Sequence, residues 1–119
     1  MRTNETVLSY GSLVAQLREG GLRVETLDEI QQPFFTPPAR VISIGDGEAQ
    51  VYEYVDDKSA ATEAARVAPN GSIGGSMPMW IAPPHFFRKG RLIVLYLGSD
   101  VRSLGRMREL LGVEFAGQQ

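Results

Sequence analysis

The sequence predicts an α+β fold, in which three helices pack on a single mixed or antiparallel sheet of about five strands in the order α-β-β-β-α-β-β-α. Two observations indicate this fold. Three segments carry helix caps or apolar residues at helical spacing, and the segments between them are short and rich in β-forming residues. The length of 119 residues, 43% of them hydrophobic and 22% charged, is enough for one buried core.

The first helix is predicted over residues 9–19, with Ser9 as its N-cap and Gly20 as its end. Its apolar positions fall on one face, formed by Tyr10, Leu13, Val14 and Leu17. Alternation over residues 22–25 then predicts a short strand. Residues 31–38 contain three prolines, which forbid a helix and disfavour a central strand.

A hairpin is predicted over residues 40–55. Its β-rich strands are 40–44 and 49–55, and the turn between them, Gly45-Asp46-Gly47-Glu48, has the glycines that positive dihedral angles require. Alternation places Glu53 on the same face as valines. Because an unpaired buried charge is costly, we expect Glu53 to be partly buried and paired with an arginine such as Arg40 or Arg91.

The second helix is predicted over residues 58–68, with Asp56-Asp57 at its start and Pro69 after its end. It is rich in alanine, which permits a close approach to the sheet. Residues 77–82 are predicted to form a strand and residues 83–90 a loop. If the strands on either side of this helix run parallel, the three elements form a crossover.

The last strand and helix follow without a linker. Residues 92–97 are six consecutive apolar residues, which is typical of a central strand covered on both faces. Asp100 is the expected cap of a helix over residues 101–111, which Gly112 ends. The domain division is therefore a flexible N-terminus over 1–8, a single α+β domain over 9–113 and a C-terminal tail over 114–119.

Composition excludes several classes of function. The chain has no cysteine, which excludes disulfides, thiolate catalysis and cysteine-type metal sites. A net charge of −2 is unlike that of nucleic-acid binders, and no apolar run is long enough for a transmembrane segment. Charge is nevertheless polarised, because residues 88–108 hold six basic residues and one acid.

The candidate catalytic features are weak. The glycine-rich segment 71–76 follows a helix, whereas a phosphate-binding loop opens one, so we expect a flexible connector. His85 is the single histidine, and no nucleophile motif or set of metal ligands accompanies it. Of the three acid pairs, Asp46/Glu48 lies in a turn and Asp56-Asp57 at a helix start, which explains these two, and no pair, Asp28-Glu29 included, indicates acid–base catalysis. We therefore assign no catalytic residue, no metal ligand and no cofactor.

Two loops that combine aromatic residues with proline suggest a binding surface. One contains Phe34-Phe35 and the other Phe86-Phe87, and basic residues follow the second loop. The expected contact residues are Trp80, His85, Phe86, Phe87, Arg88, Lys89 and Arg91. The first hypothesis is a non-enzymatic binding module for a protein or small ligand. The alternatives are a small enzyme with His85 as its acid–base and a structural domain that forms a homodimer.

Several motifs, spread over nearly the whole chain, resemble a group of small uncharacterised bacterial proteins. These motifs are Leu13-Val14-x-x-Leu17-Arg18, Gln32-Pro33-Phe34-Phe35, Val51-Tyr52-Glu53-Tyr54 with Asp57, Ala61 and Ala65, Pro69-x-Gly71, Trp80, Pro84-His85-Phe86-Phe87 and Gly90-Arg91-Leu92-Ile93-Val94-Leu95-Tyr96-x-Gly98. Such proteins carry a lipoprotein-type signal and a Thr/Pro-rich spacer. The resemblance implies an extracytoplasmic domain tethered to the cell surface, and no known activity. This sequence lacks the signal and the lipidated cysteine, so a native N-terminus would instead imply the cytoplasm.

Overall fold

The computed structural model describes residues 9–76 and 78–117; the expected flexible N-terminus, residues 1–8, lies outside them. The elements are α1 (Tyr10–Glu19), β1 (Val24–Ile30), β2 (Ala39–Ile44), β3 (Gly47–Glu53), α2 (Asp57–Ala64), β4 (Pro84–Lys89), β5 (Leu92–Leu97), α3 (Val101–Leu111) and β6 (Ala116–Gly117). The six strands form one sheet in the order β1-β2-β3-β5-β4-β6, and every neighbouring pair is antiparallel. The predicted fold class and element order are confirmed, with six strands in place of about five.

All three helices begin at the predicted caps. The side chain of Ser9 accepts a hydrogen bond from the Ser12 amide, that of Asp56 from the Ser59 amide, and that of Asp100 from the Ser103 amide. The second helix ends at Ala64, short of the predicted residue 68. It ends early because the chain turns there to place Val67 in the core, where it forms a β-bridge with Ile73.

The fourth strand was predicted in the wrong place. Residues 78–83 form no strand, and the expected loop over residues 83–90 contains β4 instead. The reason is burial: Met79 is 95% exposed, whereas Phe86 and Phe87 are both fully buried, one on each face of the sheet. Pro84 is tolerated because it is the first residue of the strand. Gly90, with a φ of 56°, opens the two-residue turn to β5.

The two ends of the sheet also differ from expectation. The predicted strand over residues 22–25 is β1, which starts at Val24 and continues to Ile30 as a largely exposed edge strand. At the other edge, the segment expected to be a tail places Ala116 in the core and pairs with β4 as β6. The edge strand β1 is therefore longer than the sequence pattern predicted, and β6 adds a strand at the opposite edge of the sheet.

Both faces of the sheet are covered. α1 and α3 pack on one face, where the core contains Leu13, Leu17, Met107, Val94 and Tyr96. α2 and the loops around Phe35 and Ile73 pack on the other face, against Tyr52, Phe86, Ile93 and Leu95. The prediction that β5 is central and covered on both sides is confirmed. β3 and β4 lie on either side of β5 and run parallel to each other, so the predicted crossover through α2 exists with β4 as its second strand.

Candidate functional site

Six of the seven residues expected to form a contact surface lie on β4 and the turn after it. Their side chains alternate between the two faces of the sheet, so they do not form one surface: Phe86 packs in the α2-side core and Phe87 in the α1/α3-side core. Arg88 and Lys89 lie at the end of β4, where Arg88 is exposed and donates to the Gly90 carbonyl at 2.8 Å. Arg91 donates to Glu53 at 2.9 Å, which confirms the predicted pairing of Glu53 with an arginine.

His85 belongs to a buried polar cluster. The histidine is 4% exposed, and its Nδ1 lies 3.1 Å from Glu114 Oε2 while its Nε2 lies 3.1 Å from the carbonyl oxygen of Gly98. Arg108 donates to both oxygens of the same carboxylate, at 2.8 and 2.7 Å. The cluster therefore joins β4, α3 and the C-terminal segment through one carboxylate.

The electrostatics of this cluster follow from the arginine. The two hydrogen bonds from Arg108 outweigh the desolvation of the carboxyl group and lower the pKa of Glu114 to about 2. A carboxylate and a backbone carbonyl can only accept hydrogen bonds, so each ring nitrogen of His85 faces an acceptor group of the protein. Because both nitrogens already have protein partners, this geometry suits a structural role better than proton transfer to a ligand.

A groove lies on the α2 side of the sheet, between the loop that follows β1 and the loop that precedes β4. Its volume is about 630 Å³, within the range typical of small-molecule sites. The lining consists of Gln32, Pro33, Phe34, Glu48, Gln50, Arg66, Ile73, Gly74, Ser76, Pro78, Met79, Trp80, Ile81 and Leu97. Trp80 is the only one of the seven expected contact residues in this lining.

The wall of the groove is aromatic. The rings of Phe34 and Trp80 lie 5.7 Å apart, and Trp80 meets the buried ring of Phe86 edge-on at 5.9 Å. Phe34 and Trp80 are themselves only half-buried. Beyond them, Met79 and Ile81 are 95% and 83% exposed. Of the two predicted aromatic loops, only the one at Phe34 lines the groove. The other, residues 83–90, contains β4 instead, and Trp80 from segment 78–81 forms the opposite side of the wall.

Gln50 forms the floor of the groove. This side chain of β3 is 4% exposed, and its Oε1 accepts hydrogen bonds from Tyr52 Oη at 2.6 Å and from Gln32 Nε2 at 3.0 Å. Among the described residues, Gln50 Nε2 has no partner, although an amide nitrogen has two hydrogens to donate. The oxygen is therefore fully used, and the nitrogen is left for the groove.

A second donor without an acceptor lies in the aromatic wall. Trp80 Nε1 is buried and has no hydrogen-bond partner in the described part of the chain. An unsatisfied buried donor costs about 1–3 kcal/mol. Arg66 and Glu48 are the two charged residues of the lining, which therefore has no net charge, and the Arg66 guanidinium group donates to the Phe34 carbonyl at 2.9 Å. The groove thus combines apolar walls with N–H donors and little net charge.

A smaller groove, of about 490 Å³, lies where the loop at Thr36 meets α2. Burial and a hydrogen bond to Glu63 raise the pKa of the Tyr54 phenol. Burial opposes ionisation of Glu63, but hydrogen bonds from Thr36 and Tyr54 lower its pKa on balance. Every polar group named here is satisfied by a neighbour, so this network serves to hold the 34–38 loop against α2.

The sequence did not predict that Gln50 and Arg66 line a groove or that Glu114 belongs to a buried cluster. The sequence holds one indication of the role of Gln50. It is a long polar side chain between Ala49 and Val51, and alternation along the strand places it on the same face as Tyr52 and Tyr54. Segment 71–76, expected to be a connector, contributes Ile73, Gly74 and Ser76 to the groove. Within the residues described, no three carboxylate or histidine side chains are placed to hold a metal ion. None of the described helices has the length and apolar character needed to cross a membrane.

Comparisons of the chain with models of protein families, with curated proteins and with solved structures give no match. What the chain binds is therefore inferred from the chemistry of its own side chains.

Proposed function

We propose that this protein is a non-enzymatic binding module whose site is the groove between Phe34 and Trp80. The observation that carries the proposal is the aromatic wall. Its two rings remain half-buried beside side chains that are almost fully exposed, Met79 and Ile81, although the core beneath them is closed. Exposed apolar and aromatic groups grouped around a concave surface are typical of binding sites.

The alternative functions have less support. An acid–base role would need a ring nitrogen of His85 directed at a ligand, and both nitrogens face protein acceptors. Dimerisation through a sheet face would need that face to be open, but helices or loops cover both faces of β5 and its neighbours. Neither alternative is favoured by a specific contact.

Binding in the groove is testable with N-phenyl-1-naphthylamine, an uncharged dye that fluoresces in apolar surroundings. Trp80 is the single tryptophan, so energy transfer from its indole to the dye reports binding nearby. We expect the wild-type chain to bind the dye and Phe34→Ala to bind it about tenfold less tightly, because the substitution removes half of the aromatic wall.

The matched control for this experiment is Leu27→Ala. Leu27 is also a partly exposed apolar residue, at 51%, and lies on β1 outside the groove lining. Its substitution should leave dye affinity unchanged. Equal affinity of the wild-type and Phe34→Ala chains, or no energy transfer from Trp80, would refute the groove as the site.

We also propose that the module acts outside the cytoplasm, tethered to the cell surface. The support is the resemblance to small lipoprotein-like bacterial proteins over most of the chain. In the native host, protease added to intact cells should then remove an epitope tag placed at the C-terminus. A tag degraded only after lysis would contradict this location.

A further inference from the structure

We propose that the groove selects a small apolar or aromatic molecule that carries a carbonyl oxygen, and that Gln50 and Trp80 donate hydrogen bonds to it. This inference rests on the proposed function and names its ligand class. The key observation is a glutamine amide that is 4% exposed, lines the groove and has no acceptor for its nitrogen among the described residues.

Two hydrogen bonds to Oε1 orient the Gln50 amide in the structure. Gln32 Nε2 donates to Oε1, so the oxygen faces Gln32 and the hydroxyl of Tyr52. The nitrogen must then lie on the other side of the amide plane, away from both. Tyr52 is fully buried in the core, which holds this arrangement in place before any ligand arrives. Such preorganisation lowers the entropic cost of binding.

The second donor has the same preference. The indole N–H of Trp80 can only donate, and no acceptor among the described residues meets it. Two donors lack acceptors in the described part of the chain, the Gln50 amide nitrogen in the floor and the covered indole N–H of Trp80 in the wall. They favour a ligand group that only accepts, and a carbonyl oxygen with two lone pairs is the simplest such group. Because the lining holds one arginine and one glutamate, its net charge is zero, and hydrogen bonding rather than net charge sets the selectivity.

The size of the groove favours a small molecule over an extended peptide. Its volume of about 630 Å³ lies in the range of small-ligand sites. The apolar part of the ligand would pack on Phe34 and Trp80, whose rings are 5.7 Å apart. A site that provides donors rejects an isostere without an acceptor, because the donors are then buried unpaired.

The test uses two probes of the same shape, 2-acetylnaphthalene and 2-isopropenylnaphthalene, which differ by a C=O in place of a C=CH₂ group. The full chain is labelled with ¹⁵N, and its single tryptophan gives one indole N–H resonance. We expect the ketone to bind about tenfold more tightly than the alkene. We also expect the indole resonance and the Gln50 amide resonances to move downfield with the ketone alone.

Two variants assign the preference to the named donors. Gln50→Glu keeps the oxygen that Tyr52 and Gln32 need and replaces the donor with an acceptor, so it should abolish the preference for the ketone. Trp80→Phe keeps an aromatic wall and removes the other donor, so it tests the assignment independently if Gln50→Glu fails to fold. Gln31→Glu is the matched control, because Gln31 is exposed and outside the lining.

Each outcome decides a separate question. Equal binding of both probes overturns the carbonyl selectivity but leaves the groove as the site. A preference that survives both donor substitutions overturns the roles of Gln50 and Trp80. An acetylated tripeptide amide that binds more tightly than the ketone overturns the small-molecule class. Failure of both probes and of the uncharged dye refutes the proposed function itself.

Discussion

Glu114 connects three parts of the molecule that are distant in sequence. Its side chain is 2% exposed, receives two hydrogen bonds from Arg108 and contacts His85 of β4. The neighbouring Phe115 amide donates to the Phe86 carbonyl at 2.9 Å, so the segment after α3 lies along the sheet edge. The carboxylate therefore anchors the C-terminal segment. Removal of this carboxylate should lower the stability of the whole domain.

We expect Glu114→Gln to lower the free energy of unfolding by about 2–3 kcal/mol, because it leaves a buried histidine and an arginine without their anion. The value is below that of a fully buried pair, since the Arg108 side chain is 43% exposed. Urea unfolding measures it. Glu109→Gln is the control: the Glu109 side chain, which pairs with Arg106, is 69% exposed, and a change within about 0.5 kcal/mol is expected.

The stability difference between the wild type and Glu114→Gln should depend on pH. The pKa of Glu114 is about 2 in the folded chain and 4.5 ordinarily, so folding favours the carboxylate. Its contribution to stability is complete above the ordinary pKa and is lost as the pH falls from 4.5 towards about 2. The stability difference between wild type and Glu114→Gln should therefore shrink over that interval. A difference that stays constant would show that Arg108 does not stabilise the anion.

The residue types in the sequence predicted part of the groove wall, but they did not predict its floor. Trp80 was an expected contact residue, and Phe34 belongs to one of the two loops of aromatic residues and prolines that suggested a binding surface; both line the groove. Gln50 could not be recognised in this way. A glutamine that alternates with apolar residues on a strand is the normal pattern of a solvent-facing side, and only the loops that fold over β3 make it buried.

At the scale of elements, local chemistry was the best guide. Side-chain caps fix where a helix starts, and the starts at Ser9, Asp56 and Asp100 were all predictable from the sequence. The β2–β3 hairpin was predictable for the same reason, because a short glycine-containing turn determines its register.

The position of β4 was predicted wrongly because it does not depend on the local sequence alone. Two prolines before Phe86 suggested a loop, and the apolar segment around Ile81 suggested a strand. The structure shows the reverse, since Phe86 and Phe87 fill opposite cores and Ile81 is 83% exposed. Which of two apolar segments enters the sheet depends on how well each packs against β5. Periodicity in one chain segment contains no information on that competition.

At the scale of the whole molecule, the basic segment over residues 88–108 does not form one charged surface. Arg91 pairs with Glu53, Arg106 with Glu109 and Arg108 with Glu114. Arg106 also donates to the Gln16 carbonyl and joins α3 to α1. Three of the six basic residues of this segment are therefore paired with acids that lie outside it, so the polarity seen along the sequence is partly neutralised in the fold.

The order of the strands predicts how stability varies across the sheet. β5 is hydrogen-bonded on both sides and its residues are at most 3% exposed, whereas β1 pairs on one side only and all its residues after Val24 are exposed. The register shift between Thr26 and Glu29 weakens β1 further.

We therefore expect the amides of β5 to exchange with solvent only on global unfolding. Those of β1 that bond to β2 should exchange by local opening, at least about a hundredfold faster. NMR-detected hydrogen exchange measures both sets in one experiment, and the intermediate strand β3, paired on both sides, should follow β5. Protection of β1 equal to that of β5 would mean that the sheet opens as one unit and that its exposed edge has no separate local equilibrium.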